Sequence, residues 1–171
     1  MKIAGDKVIL RAVEEQDSDM LYNLIKNSET SKGVGGYHAP NSCSHQMDWF
    51  RSSPDGSLRF IIAGKECPEN ALGIIFLSSG DFKRGEAELY IKLMKSARGK
   101  GYGKEAVAVL VSYGFRELRL HHIYSNILEC NLASLRLFEK CGFQKEAVHR
   151  SKVYKDGHYE NVCVYGISSG L

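Results

Sequence analysis

The sequence lacks any apolar run able to cross a bilayer: stretches such as Leu72 to Leu77 stop far short of the roughly 20 residues a spanning helix needs. Met1 to Glu15 has no apolar core of a secretory leader, because Asp6, Lys7 and Arg11 interrupt it. There is no CxxC pair either. The five cysteines, Cys43, Cys67, Cys130, Cys141 and Cys163, are odd in number and scattered. That argues against a disulfide scaffold or a zinc site and for a reduced, cytoplasmic protein. No internal repeat, low-complexity tract or linker divides the chain. Charge of one sign is scarce as well: 23 Lys+Arg against 20 Asp+Glu leave a net +3, too little to argue for nucleic acid. What is present is 171 residues, 43% hydrophobic and 25% charged, which predicts one domain over residues 1–171 with a substantial core.

Periodicity gives the elements. Val8-Ile9-Leu10 reads as a short strand, and Asp17 is placed to cap a helix over 17–26, in which Met20, Leu21, Leu24 and Ile25 recur at helical spacing. Residues 27–44 form a long polar loop, a length associated with function. A short helix over 44–51 carries Met47, Trp49 and Phe50. Residues 58–63 and 72–77 read as a strand hairpin. Over 87–93, Ala87, Leu89, Ile91 and Leu93 alternate with Glu88, Tyr90 and Lys92, a period-two strand with one polar face. A helix over 103–119 puts Val107, Leu110, Val111, Gly114 and Leu118 on one face. A strand over 122–128 follows, then a helix capped by Asn131 and stopped by Gly142. The chain ends in a hairpin turning at Lys155-Asp156-Gly157-His158. The order β-α-α-β-β-β-α-β-α-β-β predicts helices covering a mixed sheet.

Between Lys92 and Lys104 the chain reads KLMKSARGKGYGK, with five cations (Lys92, Lys95, Arg98, Lys100, Lys104) and no acid. Taking those five from the 23 leaves 18 basic against 20 acidic residues, so the surplus is one patch on a mildly acidic body. Strand, glycine-rich turn and helix present unpaired backbone N–H groups to an anion, and Gly99, Gly101 and Gly103 let a ligand approach closely. The spacing is not that of a nucleotide P-loop, since only three residues separate Gly99 from Gly103 where four are needed, and Lys104 precedes Glu105. It is not the dinucleotide fingerprint either, whose last glycine falls on Lys104. A small-anion or nucleotide-binding protein stays open on this loop alone.

Arg98-Gly99-Lys100-Gly101-Tyr102-Gly103 fits Arg/Gln-x-x-Gly-x-Gly/Ala and resembles the pyrophosphate loop of the GNAT superfamily of N-acetyltransferases. Asn131-x-x-Ser134-x-x-Leu137-Phe138-Glu139-Lys140-Cys141-Gly142-Phe143 is similar to that family's second block, and Gly85 to Ile91 to its central strand. Leu10-Arg11 and Lys155 to Asn161 resemble the branch that acetylates ribosomal-protein N-termini, spermidine and amino sugars. The resemblance implies an α/β (α+β) single domain: a mixed central sheet, splayed at two parallel central strands and flanked by helices. It implies acetyl-CoA as donor, no metal, and an amine or peptide N-terminus as acceptor; a homodimer is compatible with the branch. Backbone amides of Arg98, Gly99, Lys100, Gly101, Tyr102, Gly103 and Lys104 are then expected to hold the pyrophosphate, and the backbone of Ile91, Lys92 and Leu93 to meet the pantetheine arm. By the same resemblance Asn131, besides capping its helix, reaches the cofactor arm, Ser134 contacts the thiol, and Phe138 lines the cofactor.

Acetyl transfer needs a neutral amine. A lysine-like amine of pKa ≈ 10.4 is ~0.04% neutral at pH 7, whereas an α-amine near 8 is ~10% neutral. Glu88, on the polar face of the central strand, is the expected base, acting through water, or else an anchor for a cationic substrate; Glu86 is the alternate. Phe138 stands where the family's usual tyrosine acid belongs and donates no proton. Ser134, water or Tyr90 could substitute, a thiol of pKa ≈ 8.5 could leave unaided, or the protein could bind CoA without turnover. Val34 to His38, Trp49 with Phe50, and the turn at His158 and Tyr159 are expected to border the acceptor. His121 and His122 are adjacent, point to opposite strand faces and suggest no metal site.

Overall fold

A computed structural model describes residues 2–26, 48, 56–78 and 82–170. The elements are β1 (Lys2–Ala4), β2 (Val8–Arg11), α1 (Ser18–Lys26), β3 (Leu58–Gly64), β4 (Ala71–Ser78), β5 (Glu86–Leu93), α2 (Tyr102–Arg116), β6 (His122–Leu128), α3 (Leu132–Lys140), β7 (Gln144–Lys155) and β8 (His158–Ser168). The strands make one eight-stranded sheet in the order β1-β2-β3-β4-β5-β6-β8-β7. Every neighbouring pair is antiparallel except β5 and β6, which run parallel. The fold is mixed α+β, as the element order implied.

Two apolar layers hold the sheet. On one face Ala87 and Leu89 of β5 and Ile123 of β6 meet Ala106, Val107 and Leu110 of α2, all essentially inaccessible. On the other, Ile61 and Ile74 pack under Leu21 and Leu24 of α1. β3 is buried on both faces, which is why its pattern reads as a continuous apolar run. The alternation over 87–93 survives intact: Ala87 and Leu89 face the core, and Glu88, Tyr90 and Lys92 turn to the α1 side of the sheet.

Several boundaries differ from expectation. β1 was not anticipated, because only its middle residue is half-buried and three residues carry no period; it forms by pairing Ile3 with Leu10. α2 ends at Arg116, not Arg119, and Arg119 adopts φ 56, a left-handed conformation that ends the turn. Asp17 does not cap the helix from outside. It closes a 3-10 turn, Glu15–Asp17, and its buried carboxylate receives Arg11 instead. The terminal hairpin turns as anticipated, with Asp156 and Gly157 both at positive φ (48 and 89). The loop over 27–44, Cys43 and, apart from the helical Asp48, the helix over 44–51 lie outside the described residues. Among those described, no helix is long and apolar enough to cross a membrane, and Cys67, Cys130, Cys141 and Cys163 form no disulfide.

Candidate active site

The site is made by a failure of pairing. β5 and β6 are in register only at Glu86↔His122, Ala87↔Ile123 and Glu88↔Tyr124. Beyond that, β5 stays on β4 as far as Gly73↔Leu93, while β6 stays on β8 as far as Leu128↔Val162. The two parallel strands therefore part, and alternate residues of 89–93 turn backbone N–H and C=O groups toward the gap. Ile91, Lys92 and Leu93 all lie on this stretch. Lys92 is half-buried, and burial, reinforced by the positive charge of Lys155, pushes its ammonium below the ordinary range.

At the wide end of the gap lies the glycine turn. Gly99 and Gly101 take φ 73 and 85, and a Cβ at either would meet nothing within 4 Å, so the turn is open on its outer side. Gly101 is the N-cap of α2 and supplies no side-chain cap, leaving the first-turn amides of Tyr102, Gly103 and Lys104 directed outward. Gly103 serves packing: a Cβ there would come within 2.9 Å of Leu93 and 3.5 Å of Leu137. One expectation needs correcting. The Arg98 amide already donates to the Lys95 carbonyl (3.3 Å), and its guanidinium folds back on the Leu93 carbonyl (Nη2 at 3.2 Å). Arg98 fixes the turn to the end of β5, and the outward amides come from the residues after it. Open positive-φ glycines, an uncapped helix start and the cations of Lys100 and Lys104 suit a pyrophosphate-bearing group.

The parting also organises a polar cluster on the α1 face. Asn126 of β6 donates through Nδ2 to Glu88 Oε1 at 2.8 Å, bridging the strands just past their last backbone pair. Tyr90 stacks on Phe76 (centroids 4.7 Å apart, planes at 11°) and remains 39% exposed. Its phenol is pushed above its ordinary range by burial first and then by the Glu88 carboxylate two residues before it. Farther along this face, His122 Nε2 pairs with Glu146 (2.9 Å) and its ring stacks on Tyr124.

α3 supplies the remaining residues. Asn131 Oδ1 accepts the Ser134 amide at 3.2 Å, the anticipated cap, and Ser134 sits half-buried in the first turn. Phe138 is 2% exposed and meets Phe143 edge-on (4.9 Å, 89°) within the main core. Its ring is a packing side chain with no surface for a ligand, which corrects the expectation that it lines a cofactor. Cys141 Sγ approaches the Lys104 carbonyl (3.7 Å), and burial raises its thiol.

The family profile described as an acetyltransferase (GNAT) domain matches residues 7–144. The chain belongs to the GNAT acetyltransferase family. Among the relatives of this GNAT chain, an N-acetyltransferase 9-like protein of Nematostella vectensis is 35% identical over 90% of this chain and 82% of its own length. An SPbeta prophage-derived, uncharacterized N-acetyltransferase of Bacillus subtilis is 28% identical over 93% of this chain and 89% of its own. The spermidine N-acetyltransferase of Vibrio cholerae, solved with CoA and spermine, superposes with a TM-score of 0.85 at 23% identity, covering 96% of each chain, a likeness of fold. By class this GNAT chain is an N-acetyltransferase.

On the acceptor side, Val34 to His38, Trp49 and Phe50 lie outside the described residues. His158 and Tyr159 stand at the exposed hairpin tip, His158 Nε2 paired with Glu160 (2.6 Å) and Tyr159 against Tyr154. His121 and His122 form no cluster: the described residues contain no group of three or more His, Cys, Asp or Glu able to hold a metal ion. Asn126 is the residue that reading the sequence missed. It sits on the polar face of β6 with no motif around it, and only the parallel register brings it to Glu88.

Proposed function

We propose that this chain, working as one domain over residues 1–171 in the cytoplasm, transfers an acetyl group from acetyl-CoA directly to a primary amine of a small molecule or peptide N-terminus. The observation that carries this reading is the carboxylate of Glu88, held by Asn126 at the point where β5 and β6 part, with the open glycine turn at the far end of the same gap. The outward amides of Gly99 to Lys104 would hold the pyrophosphate, the backbone of Ile91 to Leu93 the pantetheine, and Asn131 the arm beyond it. Acetyl-CoA supplies an activated thioester. The chain's own contribution is to orient the amine and move its proton. Glu88 receives that proton, through water, before the freed lone pair of the amine nitrogen bonds to the acyl carbon; the departing thiolate, of pKa ≈ 8.5, needs little assistance, and Ser134 in the first turn of α3 would donate to it.

A second reading, a CoA-binding module without turnover, is favoured by one observation, the burial of Phe138 where an acid would stand. Thiol release from acetyl-CoA across α-amino peptides, polyamines, amino sugars and antibiotic amines separates the two. The enzyme reading expects at least one acceptor well above the hydrolysis background. Binding of acetyl-CoA by calorimetry, with every acceptor at background, would establish the module instead.

The glycine turn gives its own check. Gly101→Val puts a β-branched residue at φ 85, a conformation costing roughly 1–2 kcal/mol, though its side chain meets no neighbour. Acetyl-CoA affinity by calorimetry should fall at least about ten-fold while the variant still melts cooperatively. Unchanged affinity would remove the turn from the binding site.

A further inference from the structure

The strand parting raises a question of chemistry. Where two parallel strands separate, the side chains beside the last backbone pair lose their lattice, and a glutamate there would ordinarily sample several rotamers. Glu88 does not stand alone. Asn126, two residues past the last paired position of β6, reaches across the gap to Oε1 at 2.8 Å. From its own strand Tyr90 approaches, its ring fixed flat against Phe76. An ionised carboxylate offers about four acceptor positions, so the Asn126 amide orients it and leaves the others for an incoming ammonium or water.

We propose that Asn126 is a positioning residue for Glu88: it fixes the carboxylate across the strand parting, aimed at the acceptor amine. The inference rests on the transferase reading above and deepens it by assigning the residue that orients its base. Donation from Asn126 holds one carboxylate oxygen in place, so removing it frees the Glu88 side chain to leave its aim. The titratable and charged neighbours on this face include Glu86, Tyr90 and Lys92 of β5, Arg59 of β3 over the Phe76 ring, Lys155 acting on Lys92, and Tyr124 and the His122–Glu146 pair reached from β6. Of these, Tyr90 is the one whose phenol is pushed up by burial and then by the Glu88 carboxylate. Tyr90 therefore reports on the cluster without any turnover.

The test uses the full chain with the best acceptor from the panel. Asn126→Ala should lower kcat/KM for the acceptor about ten-fold, the scale of one hydrogen bond to a charged group, while KM for acetyl-CoA stays put. The loss should fall on kcat, with KM for the acceptor within about two-fold of wild type. Asn126→Gln, which keeps the amide donor, should recover part of the loss. Tyr90→Phe, which keeps the stack on Phe76, should cost less than Asn126→Ala. Independently, absorbance titration of the tyrosines should find two raised phenols, Tyr90 and Tyr165, of which one moves toward ordinary values in Glu88→Gln. An unchanged kcat in Asn126→Ala, in an enzyme that turns over, would overturn the positioning role and leave the transferase reading intact. A wild-type protein without turnover on any amine, but with the shifted phenol present, would overturn the transferase reading and reduce the cluster to a structural clasp.

Discussion

Arg11→Ala should cost about 3–5 kcal/mol of stability, the scale for stranding one partner of a buried ion pair. Arg11 and Asp17 are 4% and 1% exposed, and the guanidinium meets the carboxylate with two bonds, Nη1 to Oδ2 at 2.8 Å and Nη2 to Oδ1 at 2.7 Å. It also donates to the carbonyls of Pro68 (2.7 Å) and Ala12 (3.1 Å), so one side chain ties β2, the β3–β4 turn and the approach to α1. Removal leaves the Asp17 carboxylate buried with, among the described residues, the Glu14 amide (2.8 Å) as its donor. At roughly 2–4 °C per kcal/mol for a chain of this size, the melting temperature should fall by about 10 °C. Arg11→Lys should recover little, since a point charge cannot make the paired bonds. The pairing is tested by Asp17→Asn added to Arg11→Ala: removing the stranded charge should restore part of the loss. A single variant within 1 °C of wild type would show that water reaches this site.

Arg11 also illustrates what the sequence could and could not convey. Leu10-Arg11 suggested a family branch, and nothing local said that the arginine would be buried, because its partner was assigned to a helix cap. Period-dependent features came through: the alternation of β5, the apolar face of α2, the Asn131 cap and the Asp-Gly turn all depend on neighbours within a few residues. Features set by register did not. β1 exists only as a partner of β2, and Asn126 matters only because Glu88 pairs with Tyr124 across a parallel junction. Phe138 makes the same point from the other side. Its position in the second block resembles that of a reactive tyrosine, yet packing against Phe143 turns the ring into the core. The glycine loop was readable as an anion site because its chemistry is local. That Arg98 would use its amide and guanidinium to fasten the turn to Lys95 and Leu93 needed the folded geometry.

Glu88→Gln should reduce acetyl transfer by about 10²–10³ at pH 6.5, within the range for losing a general base. The substitution is nearly isosteric, and its remaining carbonyl oxygen can still accept from Asn126, so a loss reports on proton transfer more than on shape. Its pH dependence carries the argument. An α-amine of pKa near 8 is ~3% neutral at pH 6.5 and ~90% neutral at pH 9, so at the higher pH most acceptor has already shed its proton and the deficit should shrink below about ten-fold. A lysine-like amine of pKa ≈ 10.4 is still only ~4% neutral at pH 9, so the variant should stay impaired there. Measuring kcat/KM for one acceptor of each kind at both pH values therefore separates two roles for the same carboxylate. A deficit that closes for the α-amine and persists for the side-chain amine marks a base. If it is equal at both pH values for both acceptors, Glu88 acts as a charged anchor, and raised ionic strength should then weaken wild-type acceptor KM, as screening requires for a partly exposed ion pair. Either outcome needs the carboxylate at the strand parting; only a variant with wild-type kinetics throughout would remove Glu88 from the site.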